Sequence, residues 1–216
     1  MLRILHGFSE KEPMHSLIRK NGGIPYHRPF LTHIPLEFSI PSFIPKAILI
    51  SSARTILYWG EWYDLIVSHR IAVYSIGQKT QAKLAAIGIK GILAGGTGDS
   101  LVSRVEADGN SSFVHIGAMT ISKNLQAAFD NCSIPFAREM VYKSAAHPHF
   151  SVPENIDIGC LNSERCARIW ASKSHNIPVV CIGESTKKEA MALGLRVLGT
   201  ASRPNREELV RVALQR

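Results

Sequence analysis

Ile71–Ile89 reads IAVYSIGQKTQAKLAAIGI, and Ile177–Leu195 reads IPVVCIGESTKKEAMALGL. Laid over each other at an offset of 106 (177 − 71), the two agree at Ile71/Ile177, Val73/Val179, Ile76/Ile182, Gly77/Gly183, Thr80/Thr186, Ala86/Ala192 and Gly88/Gly194. Each is a short apolar run rich in β-branched residues, a glycine that ends it, and a helix-like stretch that stops at a second glycine. A buried strand followed by a returning helix is the building block of a parallel α/β sheet.

Two further pairs recur in the same order. Ser52-Ala53-Arg54 through Trp59 matches Ser163-Glu164-Arg165 through Trp170 at an offset of 111 (163 − 52). Gly7, Ile24-Pro25 and Arg28 match Gly117, Ile134-Pro135 and Arg138 at an offset of 110 (117 − 7). A unit of about 110 residues by these offsets therefore occurs twice. That period is too long for a solenoid, which stacks several short repeats. It predicts two similar lobes, with a ligand expected in a crevice between them.

The remaining apolar runs extend the pattern. Leu2–Leu5, Ala47–Ile50, Ile71–Ile76, Phe113–Ile116, Ile156–Leu161 and Val179–Ile182 read as strands. Met14–Asn21, Arg54–Trp59, Lys79–Ile87, Ser122–Asn131, Arg165–Ser174, Lys187–Leu193 and Arg206–Leu214 read as helices between them. Pro35–Pro45 holds three prolines in eleven positions, and Tyr142–Pro153 is also proline-bearing. Both are expected to be extended crossings. They predict an inserted domain over 40–143, a discontinuous one made of 1–35 and 148–216, and linkers near 35–45 and 142–153.

Composition excludes several classes. The chain has 216 residues, 45% of them hydrophobic and 19% charged, as in an ordinary globular protein. No run approaches the ~18 apolar residues of a membrane span. Glu10, Lys11 and Glu12 come too early for a secretory apolar core, so a cytoplasmic location is expected. Cys132, Cys160, Cys166 and Cys181 lack metal-knuckle spacing and read as reduced thiols. The net charge of +8 divides evenly, with 12 basic and 8 acidic side chains in residues 1–110 and 13 and 9 in 111–216. Without a basic tail or cluster, nucleic acid is not an expected partner. A diffuse positive field suits an anionic ligand.

Candidate chemistry gathers at four strand ends: Ser51-Ser52-Ala53, Gly77-Gln78-Lys79-Thr80, Asn162-Ser163-Glu164 and Gly183-Glu184-Ser185-Thr186. Open α/β sheets bind ligands outside the carboxyl ends of their strands. Helix starts there carry unpaired N–H groups and a partial positive charge suited to carboxylates or phosphates. Each hydroxyl taken alone reads as a helix cap; the set of four reads as a site. Tyr142 stands at the second crossing, either as packing or as a hydroxyl donor. Gly95-Gly96-Thr97-Gly98-Asp99 lacks the Lys-Ser/Thr of a phosphate loop and reads as a surface turn. In His147-Pro148-His149 the proline prevents chelation from one helical face, and no metal site is expected.

Four segments together resemble one family. Ala47-Ile-Leu-Ile-Ser-Ser-Ala-Arg, Val73-Tyr-Ser-Ile-Gly-Gln-Lys-Thr-Gln-Ala, Val141-Tyr-Lys-Ser followed by Ala-His-Pro, and Val180-Cys-Ile-Gly-Glu-Ser-Thr with Leu209-Val210 are similar to uroporphyrinogen-III synthase. The resemblance covers most of the chain in the right order. It implies two flavodoxin-like α/β lobes joined by a two-stranded extended linker. It further implies a cytoplasmic hydro-lyase of haem (tetrapyrrole) biosynthesis without metal or organic cofactor; a monomer is expected. The implied substrate is hydroxymethylbilane, a linear tetrapyrrole polyanion, closed into a ring with inversion of its last pyrrole and loss of water. By the Val-Tyr match Tyr142 is expected to assist departure of the hydroxyl. Ser51, Ser52, Ala53, Thr80, Ser163 and Thr186 are expected to contact substrate. The sequence departs from the family at His6-Gly7-Phe8-Ser9, where an arginine turn is usual, and at Cys160-Leu161-Asn162-Ser163. A non-catalytic two-lobed module for an anionic metabolite is the competing expectation.

Overall fold

The structure, a computed structural model, describes every residue except those at positions 10, 42, 175 and 216. The chain divides into unit 1, Met1–Thr32 with Ala145–Arg216, and unit 2, His33–Ser144.

Unit 1 is built from β1 (Arg3–His6), α1 (Lys11–Lys20) and β2 (Ile24–His27), then β9 (Ile158–Leu161), α6 (Glu164–Ala171), β10 (Val179–Cys181), α7 (Glu184–Ala192), β11 (Val197–Thr200) and α8 (Arg206–Leu214). The strands lie in the order β11-β10-β9-β1-β2, all parallel. Counted in chain order from the β2 edge this is 2-1-3-4-5, the flavodoxin order. Both faces are covered. Ile4, Ile158, Cys160 and Val180 pack beneath α1 and α8 with Met14, Ile18, Leu209 and Val210. Leu5, Leu161, Val179 and Cys181 pack on the other face with Trp170, Ala190 and Leu195. Near-continuous apolar runs are what such doubly covered parallel strands require.

Unit 2 begins within β3 (Leu31–Pro35) and continues through β4 (Ala47–Ile50), a 3-10 turn at Thr55–Leu57, α2 (Trp62–His69), β5 (Ala72–Ser75), α3 (Gln78–Ala86) and β6 (Ile92–Leu93). It ends with α4 (Gly98–Ala107), β7 (Phe113–Ala118), α5 (Lys123–Asp130) and β8 (Phe136–Ala146). The order is β3-β8-β7-β4-β5-β6. Ile48, Ile50, Val73, Val114 and Ile116 face Trp59, Trp62, Ile66 and Leu84. Ala47, Leu49, Tyr74 and Phe113 face Leu101, Val105, Leu125 and Phe129. The chain passes between the units within β3 and within β8. Leu36 N–H bonds the Val141 carbonyl at 3.0 Å and His147 N–H bonds the Phe30 carbonyl at 2.9 Å, so these two strands run antiparallel.

The repeat maps onto the sheets strand by strand. β9, β10 and β11 correspond to β4, β5 and β6; β1 and β2 correspond to β7 and β8. The spatial order is the same in both sheets, but unit 2 threads it as 3-2-1-4-5 with β3 added. Register refines one offset. His6 lies opposite Cys160 and His115 opposite Leu49. With β9 and β4 related by 111 (160 − 49), β1 and β7 are related by 109 (115 − 6), one less than the glycine match gives. His6 and His115 are therefore equivalent.

One helix expectation needs correction, and α2 and α4 are helices the sequence does not announce. Arg54–Trp59 forms only the single 3-10 turn, because Thr55, Ile56, Tyr58 and Trp59 are weak helix formers and Gly60, at φ +50°, breaks the chain before α2 starts. α4 is hidden in the sequence by its Gly-Thr-Gly-Asp-Ser start, which proves to be a capping box between Thr97 and Ser100. The caps at Ser122, Ser163 and Asn205 are present, accepting from Leu125, Cys166 and Glu208 N–H groups. Gly88 and Gly194 adopt φ of +81° and +75°, as helix-ending glycines do.

Candidate active site in unit 2

A cavity of about 350 Å³ opens at the carboxyl ends of β4, β5, β6 and β7. Its place follows from the strand order. Chain order reverses between β4 and β7, and the loops after these two strands leave in opposite directions, so a crevice forms there. Ser51 and Ser52 enter it from β4, Ile76 from β5, and Gly96-Thr97-Gly98 from the loop after β6. Ala118, Thr120 and Ser122 enter from β7 and its loop, and Tyr142 from β8.

The cavity has the electrostatics of an anion site. Thr97 and Ser122 are the N-caps of α4 and α5, so two helix N-termini border one cavity. Each carries about half a positive charge and first-turn N–H groups without partners in the helix. Ser52 accepts the Arg54 N–H at 3.3 Å, a local turn rather than an α-helix cap. Ser51 Oγ lies 3.0 Å from His115 Nε2. The His115 ring is buried on β7 against Phe129, with centroids 5.0 Å apart. Burial first, and the Arg138 guanidinium second, push its pKa down to about 3, so the ring is neutral.

Tyr142 is 4% exposed and belongs to the apolar cluster under α2 and α3. Its ring stacks on Tyr58 at 5.1 Å and meets His33 edge-on at 5.9 Å. Its hydroxyl makes no hydrogen bond among the described residues. Packing fixes the ring, and the residue forms part of the cavity wall.

The sequence-derived set is thus only partly gathered. Ser51, Ser52 and Tyr142 share this cavity. Ala53 is half-buried beside it without lining it, and Thr80 is buried in the first turn of α3. Ser163 and Thr186 belong to unit 1, where Ser163 caps α6 and Thr186 is 2% exposed. Two features at the cavity are not evident from the sequence: one lining segment, and the buried ring behind Ser51. Gly96-Thr97-Gly98 is a lining segment and not a plain surface turn; the available signal is the Thr97–Ser100 cap spacing. His115 is a single polar residue inside an apolar run.

Unit 1 carries a different constellation at its strand ends. His6 is fully buried, with ring centroids 5.2 Å from His15 and 5.1 Å from His27. Burial, then the neighbouring His27, His15, Arg206 and Lys11, drive its pKa down to about 3. Among the described residues no group of three or more His, Cys, Asp or Glu is arranged to hold a metal ion. Nor is any described helix long and apolar enough to cross a membrane.

Two doubly wound α/β units, one with a hydroxyl- and amide-lined cavity at its switch point, define a two-unit α/β protein of the open-sheet class. Comparison with known proteins narrows the class. The family model described as uroporphyrinogen-III synthase HemD matches residues 12–211. Uroporphyrinogen-III synthetase from Helicobacter pylori 26695 shares the fold at a TM-score of 0.76 and 16% identity, over 99% of each chain. A mutant uroporphyrinogen III synthase from the extremely thermophilic bacterium Thermus thermophilus follows at a TM-score of 0.59 and 11% identity, over 98% of this chain and 96% of that one. A search of the curated proteins gives no match. The chain belongs to the uroporphyrinogen-III synthase family. Its activity is that family's lyase reaction in haem biosynthesis, on a tetrapyrrole substrate.

Proposed function

We propose that the unit 2 cavity is where this chain grips hydroxymethylbilane while closing it to uroporphyrinogen III. The observation that carries this reading is the convergence of Ser51, Ser52, Tyr142 and the α4 and α5 N-termini on one 350 Å³ space. That volume is near the small end of ligand sites. It suits one pyrrole with its carboxylate arms rather than a whole tetrapyrrole. Carboxylates accept from the two serine hydroxyls and from first-turn N–H groups. The net charge of +8 draws the polyanion in.

The chemistry asks little of any single side chain. The C–O bond to the terminal hydroxyl breaks as the Tyr142 hydroxyl passes its proton to the oxygen, which leaves as water; the proton released from the pyrrole carbon at ring closure restores the tyrosine. Attack through a spiro intermediate and rearrangement then follow from holding the ends of the chain together. Polar groups fixed in advance stabilise the charge that develops. In unit 1, the hydroxyl of Ser163 is engaged as a cap and Thr186 is buried. The protein acts as a cytoplasmic monomer, without nucleic acid.

The test is product identity. Incubation with freshly generated hydroxymethylbilane is expected to yield the type III isomer. The type I isomer alone, which forms spontaneously, would reject cyclisation and leave an anion-binding module. Tyr142→Phe is expected to lower kcat about 10–100-fold with the fold intact; an unchanged kcat removes Tyr142 from the proton-donating role.

A further inference from the structure

His115 is 1% exposed, and its Nδ1 has no hydrogen-bond partner among the described residues. Its polar neighbour at hydrogen-bond distance is Ser51 Oγ, 3.0 Å from Nε2. Buried polar groups are almost always paired, and a single unpaired atom calls for an explanation. A neutral imidazole has one N–H and one bare nitrogen. If the proton sat on Nδ1, a buried N–H would be orphaned. With the proton on Nε2, only a lone pair is left over, which proteins tolerate more readily. The second arrangement has a consequence. Nε2–H donates to Ser51 Oγ, and the serine's own O–H must then point elsewhere. Ser51 lines the cavity.

The ring is held in this orientation. Phe129 packs against one side. Gly117 is a second close approach: a Cβ built there would lie 2.8 Å from His115 Cε1. Unit 1 supplies an internal control. His6 is the equivalent imidazole, but Asn162 (51 + 111) takes the place of Ser51, and its Oδ1 accepts the Cys166 thiol at 3.0 Å. Both ring nitrogens of His6 are without hydrogen-bond partners among the described residues.

We propose that His115 is a positioning residue for the cyclisation: by donating from Nε2 to Ser51, it turns that serine into a fixed O–H donor that selects a carboxylate oxygen in the unit 2 cavity. The proposal rests on the reading of that cavity as the substrate site. A hydroxyl free to rotate would accept as readily as donate. One whose lone pair is already occupied favours an anionic acceptor.

A double-mutant cycle with a spectroscopic readout tests it. Ser51→Ala is expected to raise KM for hydroxymethylbilane about tenfold with kcat nearly unchanged, the size of one hydrogen bond to a charged group. His115→Leu is expected to raise KM similarly, and the double variant no further than Ser51→Ala alone. His115→Gln, whose amide N–H₂ can reach Ser51, is expected to restore most of the affinity. In the wild-type protein, ¹H–¹⁵N correlation of the histidine rings should show His115 protonated on Nε2 with bare Nδ1; this holds even if the leucine variant fails to fold. Protonation on Nδ1, or KM losses that add in the double variant, overturns the positioning role alone. A Ser51→Ala variant with unaltered KM overturns the cavity reading beneath it.

Discussion

His6 and His115 occupy the same place in two sheets of the same strand order, and the two units treat them differently. His6 ends β1 and His115 lies within β7; both are buried, and both are driven to a pKa of about 3 chiefly by burial. In unit 2 a serine from the adjoining strand meets the ring and opens onto a cavity. In unit 1 an asparagine stands in that position, engaged with a cysteine, and two more histidines crowd the imidazole. The fold therefore fixes where a polar group appears, and the neighbouring strand end decides whether it meets a cavity-lining side chain. A duplicated architecture does not carry a duplicated chemistry with it.

Packing gives the largest test of that comparison. Trp170 covers Gly159 in unit 1 so closely that a Cβ built there would lie 2.4 Å from Cη2. The unit 2 counterparts, 111 residues earlier, are Trp59 and Ile48 (170 − 111 and 159 − 111). Trp170→Ala is expected to cost about 3–5 kcal/mol by urea denaturation, because no side chain at Gly159 can fill the void. Trp59→Ala should cost less, since Ile48 remains beneath it. Equal losses would mean that the two indole sites are energetically alike after all.

Acid treats the two histidines as a pair. In the folded protein they titrate near 3, and in the unfolded chain near 6.5. Between those values the unfolded chain binds protons that the folded chain refuses, so stability falls as pH falls. From pH 6.5 to 5 each ring is expected to withdraw up to about 2 kcal/mol. Glu106, Asp108, Asp157 and Glu208, all held below the usual carboxylate range by hydrogen bonds, stay ionised across that window and do not blur it. His6→Leu and His115→Leu should each flatten the slope; a slope unchanged by either would refute the buried neutral state of that ring.

The glycines of the repeat give the smallest effect. Gly77 has φ +75° and ψ 146°, a conformation that strains any residue with a Cβ. Gly183, its partner at 106, is fully extended. Neither has an atom within 4 Å of a built Cβ, so only the backbone separates them. Gly77→Ala is expected to cost about 1–3 kcal/mol and Gly183→Ala about 0.5 or less. Matching costs would show that the two turns share one conformation in solution.

Much of the architecture is legible because it rests on local pattern. Ala47–Ile50 is legible to the residue, since four buried apolar residues bounded by Lys46 and Ser51 leave little choice. The repeat then exposes the two-lobed plan. What escapes includes α2, α4 and most of the eleven-residue β8, as well as elements that are short or interrupted. β6 has two residues, β2 contains Pro25, and β11 is broken by Gly199 and an irregular register against β10. The helix expected at Arg54–Trp59 is borrowed from the true α6 of its partner segment. Of the cavity wall, Ser51, Ser52 and Tyr142 are legible from strand-end position and family likeness. His115 is not, because its partner is 64 residues away and only the pairing of β4 with β7 brings them together.

The swapped threading of the two units has a consequence for biosynthesis on the ribosome. Unit 2 is a single uninterrupted stretch and can complete its sheet while the last third of the chain is still being made. Unit 1 cannot: β1 and β2 emerge first, yet the strand that must lie beside β1 is β9, more than a hundred residues later. Until then its apolar faces wait uncovered, the state in which nascent chains aggregate. Early folding of unit 2 shortens that wait in effect, because pairing of β3 with β8 brings the two severed halves of unit 1 within reach and removes most of the loop-closure cost. Variants that slow unit 2 should therefore reduce the yield of the whole protein before they touch its activity.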